Sequence, residues 1–192
     1  MNARDEILAA VRDALGHTRP VDTEVPDGHR TPGRPGDLVG LFVERVADYG
    51  VVVRRCGESE VAAAIADALA DARTVAVPDG FPHPVAGPAL SDPWSADAVV
   101  TTVAVGIAGT GSVVLDHGPG QGARVFSLLP DIHVCVVHRD QIVPGVPDAV
   151  AGLDPLRAQT WISGPSATSD IELDRVEGVH GPRSLRVIVV DA

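Results

Sequence analysis

The spacing of hydrophobic and polar positions changes along the chain from a helical period to strand-like runs. Apolar residues recur at helical spacing from Asn2 to Leu15, before Gly16, and again after Asp37, a typical helix N-cap. Ser59 is the predicted cap of a third helix, which lies between the β-branched runs Val51–Arg55 and Thr74–Val77. A helix between two such runs is typical of a β–α–β unit.

The second half of the chain consists mainly of short apolar runs separated by glycine-rich or proline-rich segments. Ala98–Val105 predicts one buried central strand, which turns sharply at Gly106–Gly111 into a second strand, Ser112–Asp116. A weak helix is predicted over Asp148–Leu153. Three further strands are predicted, at Ile132–His138, Thr160–Ser163 and Leu185–Asp191. The pattern as a whole predicts an α/β fold with a mostly parallel sheet and flanking helices.

Three segments follow from this pattern. Residues 1–16 form a helical arm, and residues 17–36 are rich in proline, glycine and charge, which predicts an exposed linker. Residues 37–192 are long enough for one domain with an ordinary core.

The composition narrows the fold and the partners. Hydrophobic residues make up 45% of the chain but aromatic residues only 3%, which favours a sheet core of small aliphatic side chains. No apolar run reaches the roughly 18 residues of a membrane span, and the N-terminus does not resemble a signal peptide, so we expect a cytoplasmic protein. The net charge of −11 disfavours binding to nucleic acid or anionic membranes.

Residue types that are missing or rare exclude several chemistries. All 15 basic residues are arginines, so a side-chain Schiff base and the lysine-containing phosphate loop are excluded. The two cysteines, Cys56 and Cys135, are far apart and cannot build a four-thiolate iron–sulfur or zinc site. We interpret them as buried small hydrophobes. His133 and His138 flank a strand without metal-ligand spacing, and no metal site is predicted.

The glycine-rich loop Gly106–Ser112 is the first candidate ligand-binding segment. Its glycines permit close approach of a ligand to backbone N–H groups, and Thr110, Gly111 and Ser112 are its candidate contacts. The alternative is a tight hairpin, which needs glycine for geometric reasons alone.

The loop Gly164–Asp170 is the second candidate, because ligands of open α/β sheets bind outside the carboxyl ends of strands. Gly164, Ser166, Thr168 and Asp170 offer amides, hydroxyls and a carboxylate to a bound carboxylate or phosphate. The alternative is a loop whose polar side chains cap its own backbone.

Two further residues complete the candidate set. His180 lies between two glycines and is a candidate acid or base if it approaches Asp170, so these two residues are the catalytic candidates. Arg124 follows the glycine-rich segment Gly118–Gly122 and is a candidate for binding a carboxylate, against the ordinary alternative of a surface ion pair.

These segments together resemble the LUD family, in its lactate-utilisation protein C (LutC/YkgG) type, over about residues 37–192. The specific parts are Gly106–Ser112, Leu128–Pro130, Gly164–Glu172 and Gly178–Pro182. The resemblance implies an α/β fold related to the sugar-isomerase and coenzyme A transferase class. It also implies a part in oxidising L-lactate to pyruvate beside two iron–sulfur partner subunits, with no cofactor in this chain.

The sequence departs from the family pattern at two positions. Relatives usually carry Glu where this chain has Gly109, and Arg where it has Ala167. The leading hypothesis is therefore a non-redox component of a lactate-oxidising system that binds a small carboxylate or assembles with iron–sulfur subunits. The alternatives are a stand-alone enzyme of the coenzyme A transferase or ligase type, and a degenerate scaffold or regulatory protein without a ligand.

Overall fold

A computed structural model describes residues 2–16, 36–87, 89–168, 176–178 and 180–191. Helix α1 spans Ala3–Leu15, with the Asn2 side chain accepting from the Asp5 amide and Gly16 ending the helix at φ +54°. The helix expected in this segment is thus observed, and none of its residues is buried, whereas the division of the chain into arm, linker and domain stays a prediction. Most of the predicted linker, residues 17–35, lies outside the described residues.

Helix α2, Leu38–Ala47, begins at the predicted cap, because the Asp37 carboxylate accepts from the Gly40 amide at 2.8 Å. Helix α3, Val61–Ala68, follows a 3₁₀ turn at Glu58–Glu60. The prediction that Ser59 caps this helix was wrong. Ser59 lies within the 3₁₀ turn, and the N-cap side chain of the helix forms no capping hydrogen bond. Helix α4 is Val146–Gly152.

The main sheet has six strands, all parallel, in the order β1-β12-β7-β4-β2-β3. Its strands are β1 (Val52–Gly57), β2 (Val75–Ala76), β3 (Ala89–Leu90), β4 (Ala98–Thr102), β7 (Ile132–His138) and β12 (Ser184–Asp191). Central strands are buried on both faces, which accounts for the continuous apolar runs of β7 and β12. The predicted α/β class with a mostly parallel sheet is confirmed.

A second sheet, absent from the prediction, has the order β8-β5-β6-β9. Its strands are β5 (Val105–Ile107), β6 (Ser112–Leu115), β8 (Ile142–Val143) and β9 (Thr160–Ile162). The prediction of one strand over Ala98–Val105 was wrong, because the chain leaves the main sheet after Thr102. β6 runs antiparallel to both β5 and β9, so Gly106–Ser112 spans the hairpin that joins β5 to β6.

The apolar side chains form layers around the two sheets. α3 covers one face of the main sheet, where Ile65 packs with Val134 and Ile188. The other face packs on α2 and the second sheet, with Phe42 and Cys135 among its buried residues. α4 packs behind the second sheet. The site described next lies where the main sheet and the second sheet meet.

A short antiparallel pair lies after β9, with β10 at Ala167–Thr168 and β11 at Val176–Glu177. The residues between these strands lie outside the described part of the chain. None of the described helices has the length and apolarity to cross a bilayer.

Candidate functional site

One cleft brings together residues of the predicted loop Gly164–Asp170 and of the segment Gly178–Pro182. It has a volume of about 230 Å³. Its walls come from the 3₁₀ turn at Arg124–Ser127, from β9 with the loop that follows it, and from the segment before β12. The polar residues that line it are Arg124, Ser127, His133, Thr160, Ser163, Ser166 and His180.

The cleft lies at the amino ends of the parallel strands and not at their carboxyl ends. Its floor contains His133 and Leu185, each the second residue of its strand and opposite each other in the β7–β12 register. The rule used to locate the loop after Thr160–Ser163 therefore did not apply, because β9 belongs to the mixed second sheet. The loop that follows β9 nevertheless lines a cleft, because its residues lie beside His133 and Leu185 of the main sheet.

Arg124 supplies the positive charge of the cleft. Most other described arginines of the domain pair with carboxylates, as Arg183 does with Asp131 and Arg186 with Asp71. Within the described residues, the exposed Arg124 guanidinium forms no ion pair. A guanidinium in this state can bind a carboxylate in two-point geometry without first breaking a bond inside the protein.

Serine and threonine hydroxyls connect the first predicted loop to the cleft. The Oγ of Ser163, a lining residue, is 2.7 Å from the Oγ of Ser112, which is 2.8 Å from Thr110 Oγ1. Ser112 is buried, and neither it nor Thr110 lines the cleft. The hairpin residues thus support Ser163 from behind.

The glycines of the two loops make room for protein atoms next to helix α2. A Cβ on Gly111, which has φ +62°, would lie 2.5 Å from the carbonyl carbon of Arg45. A Cβ on Gly164 would lie 2.9 Å from the Tyr49 side chain. Tyr49 Oη also donates to the Thr110 carbonyl at 3.0 Å, so it links the two loops. Close packing accounts for both glycines.

The predicted site residues therefore fall into four groups. Arg124, Gly164, Ser166 and His180 line one cleft, whereas Thr110, Gly111 and Ser112 lie behind it. Thr168 is described only as part of β10. Asp170 lies outside the described residues, so its expected approach to His180 stays a prediction.

Sequence reasoning missed His133, which is fully buried on the floor of the cleft. Its Nε2 lies 2.8 Å from Thr101 Oγ1 and 3.4 Å from Cys135 Sγ. Its Nδ1 is buried and has no hydrogen-bond partner among the described residues. Burial lowers the pKa of His133 to about 4, so the imidazole is neutral at physiological pH. The signal in the sequence that could have identified His133 was its polar side chain at an inward-facing position of an otherwise apolar strand.

Comparison with known proteins identifies the family. The family model of the LUD domain matches residues 91–190. Lactate utilization protein C of Deinococcus radiodurans is 44% identical in a match that covers 98% of this chain and 95% of that protein. The chain belongs to the LUD domain family.

Further relatives match over shorter stretches. Lactate utilization protein C 1 of Bacillus mycoides is 35% identical over 50% of this chain, and the match covers 44% of that relative's length. The crystal structure of a DUF162 family protein from Deinococcus radiodurans superposes with a TM-score of 0.68 at 39% identity. That superposition covers 80% of this chain and 96% of the other, which agrees with the α/β fold.

Every residue that lines the cleft lies within the matched LUD domain segment. The two positions at which the resemblance implies a departure from the family pattern, Gly109 and Ala167, lie in different parts of the fold. Gly109 is in the hairpin turn, where a Cβ would lie 3.1 Å from the Pro144 carbonyl oxygen, and it does not line the cleft. Ala167 directly follows Ser166, a lining residue, and begins β10.

A larger depression of the LUD domain, about 630 Å³, lies near the carboxyl ends of β4 and β7. Its arginine, Arg157, is 3.1 Å from Asp116, so that guanidinium is already neutralised. The loop at Gly120 closes the strand ends beside it, because the Thr102 amide donates to the Gly120 carbonyl at 2.9 Å. The smaller cleft with Arg124 therefore suits an anion better.

Proposed function

We propose that this chain is a cytoplasmic, non-redox component of a lactate-utilisation system, in which it binds a small carboxylate in the cleft beside Arg124. The observation that carries the proposal is a guanidinium, Arg124, that forms no ion pair with any described residue, together with several hydroxyls around the same small volume. The Deinococcus relative, with 44% identity over nearly the whole chain, bears the name of a lactate-utilisation protein.

The size of the cleft agrees with a small ligand. Its volume of about 230 Å³ is below the roughly 300–1,000 Å³ that is usual for sites of drug-sized ligands. A short-chain acid places its carboxylate on Arg124 and leaves the rest of the molecule against the apolar part of the floor, which includes Leu185. Serine hydroxyls on the wall, such as Ser163 and Ser166, donate to the second carboxylate oxygen.

The test is calorimetric titration of the full chain with L-lactate. Arg124→Gln removes a charged hydrogen-bond donor, whose loss costs roughly 1.5–3 kcal/mol, so we expect affinity to fall about 10- to 100-fold. Arg139→Gln is the matched control, because Arg139 is also exposed but lies outside the cleft. Unchanged affinity in Arg124→Gln, or equal losses in both variants, would refute carboxylate binding at this site.

Electron transfer in this proposal belongs to partner subunits. Four-thiolate clusters need more cysteines than the two of this chain, Cys56 and Cys135, and both are buried. Purification of the tagged chain from its own cells, at low salt, should bring down protein with iron and acid-labile sulfide. A preparation without either would remove the iron–sulfur partners from the proposal and leave ligand binding to the calorimetric test.

A further inference from the structure

We propose that His133 determines the ligand class of the cleft, by forming a hydrogen bond through Nδ1 to the hydroxyl of a 2-hydroxy acid. This inference rests on the proposed function, because the carboxylate of the same ligand binds Arg124. It identifies His133 as a specificity-determining residue and explains why the ligand would carry a hydroxyl on the carbon next to its carboxylate.

The unpartnered nitrogen of His133 has a cost. His133 is fully buried, and its Nδ1 has no partner among the described residues. Leaving a buried polar atom unpaired costs roughly 1–3 kcal/mol. Most residues that surround the strand are aliphatic, so an aliphatic side chain at 133 would avoid this cost. A bound ligand that pairs with Nδ1 offsets it.

The ring of His133 has a fixed orientation. Nε2 is held on the interior side by Thr101 Oγ1 at 2.8 Å and Cys135 Sγ at 3.4 Å, and Thr101 is itself fully buried. Nδ1 is the ring nitrogen that has no partner among the described residues. Because His133 also lines the cleft, Nδ1 is the ring nitrogen left for a ligand.

The tautomers of the ring decide which group can complement Nδ1. The Thr101 hydroxyl can donate to Nε2 or accept from it, so Nδ1 is a donor in one tautomer and an acceptor in the other. A hydroxyl pairs with either tautomer, since it both donates and accepts. Burial keeps the imidazole neutral, with a pKa of about 4, so the proposed hydrogen bond joins two neutral groups.

The experiment compares L-lactate with propionate, which lacks only the hydroxyl. Calorimetric titration of the wild-type chain should show lactate binding about tenfold or more tightly, since propionate leaves Nδ1 unpaired. Equal affinity for the two acids would overturn the inference and leave carboxylate binding intact. Binding of neither acid would overturn the proposed function and this inference together.

Two substitutions of His133 distinguish the roles of its two ring nitrogens. His133→Asn places an amide near the position of Nδ1, whereas His133→Gln places one near Nε2 and retains a partner for Thr101. We expect the ratio of lactate affinity to propionate affinity to stay at about tenfold or more in the Asn variant and to fall to about one in the Gln variant. Loss of the preference in both variants, or in neither, would contradict the role of Nδ1.

A measurement on the wild-type chain covers the case in which the variants fail to fold. The imidazole ¹⁵N shifts of His133 report hydrogen bonding at each nitrogen. Saturating L-lactate should move the Nδ1 resonance, and saturating propionate should leave it in place. An Nδ1 resonance that responds equally to both acids would overturn the inference, because it would then report cleft occupancy and not a bond to the hydroxyl.

Discussion

The buried imidazole of His133 makes the stability of the fold depend on pH. Its pKa falls from 6.5 to about 4 because burial disfavours the charged ring. The unfolded chain therefore binds a proton more readily than the folded one, so stability is retained above the unfolded pKa and lost as pH falls toward the folded pKa.

The magnitude follows from the two pKa values. Between about pH 7.5 and about pH 5, protonation stabilises the unfolded ring by about 2 kcal/mol, while a folded ring with a pKa of about 4 gains almost nothing. Wild-type protein should therefore lose about 2 kcal/mol more than His133→Asn over this range, because Asn does not titrate. Groups that titrate alike in both proteins cancel in this double difference.

The assay is urea unfolding of both proteins at about pH 7.5 and about pH 5, without added ligand. The free energy of unfolding in the absence of urea comes from linear extrapolation, and an unchanged m-value checks that both proteins unfold in the same way. Equal losses in the wild type and in His133→Asn would refute the reasoning, because His133 would then titrate alike in the folded and unfolded states.

Two further predictions concern packing. Gly111→Ala should lower the free energy of unfolding, measured in urea, by at least about 2 kcal/mol more than Gly50→Ala does. Both glycines have positive φ, but only a Cβ on Gly111 would meet the Arg45 backbone, at 2.5 Å. Similar losses in the two variants would contradict the close contact. Cys135 is fully buried, and burial raises the pKa of its thiol to about 12, so it should react with iodoacetamide only after unfolding. Peptide mass spectrometry of the treated protein measures this labelling, and labelling of the native protein would place the thiol at the surface.

Much of the fold was predictable because burial is recorded directly in the hydrophobic pattern. The run Ile132–His138 was predicted with its observed bounds, and Asp37 begins its helix as expected. The pattern does not record which strand pairs with which. The residues of β4 and β5 are both apolar and buried, so nothing in the run 98–105 marks the change from one sheet to the other.

The site was predictable in its polar residues but not in its floor. Arg124 and His180 stand out in glycine-rich surroundings, and both line the cleft. His133 was set aside in the sequence because it flanks a strand without metal-ligand spacing. The role proposed for it depends on which ring nitrogen has a partner, and that depends on the register that places Thr101 and Cys135 opposite each other.

The contact of Tyr49 with both glycine-rich loops changes what the family departure at Gly109 implies. Tyr49 donates to the hairpin at Thr110 and packs against Gly164, and the hairpin supports Ser163 through a hydroxyl contact. The hairpin thus acts on the cleft by positioning its wall, and Gly109 is not among the lining residues. In the proposed function Arg124 holds the carboxylate, and a Cβ at 109 would meet the Pro144 carbonyl oxygen at 3.1 Å, so a carboxylate at 109 is not one of the contacts that the proposal uses.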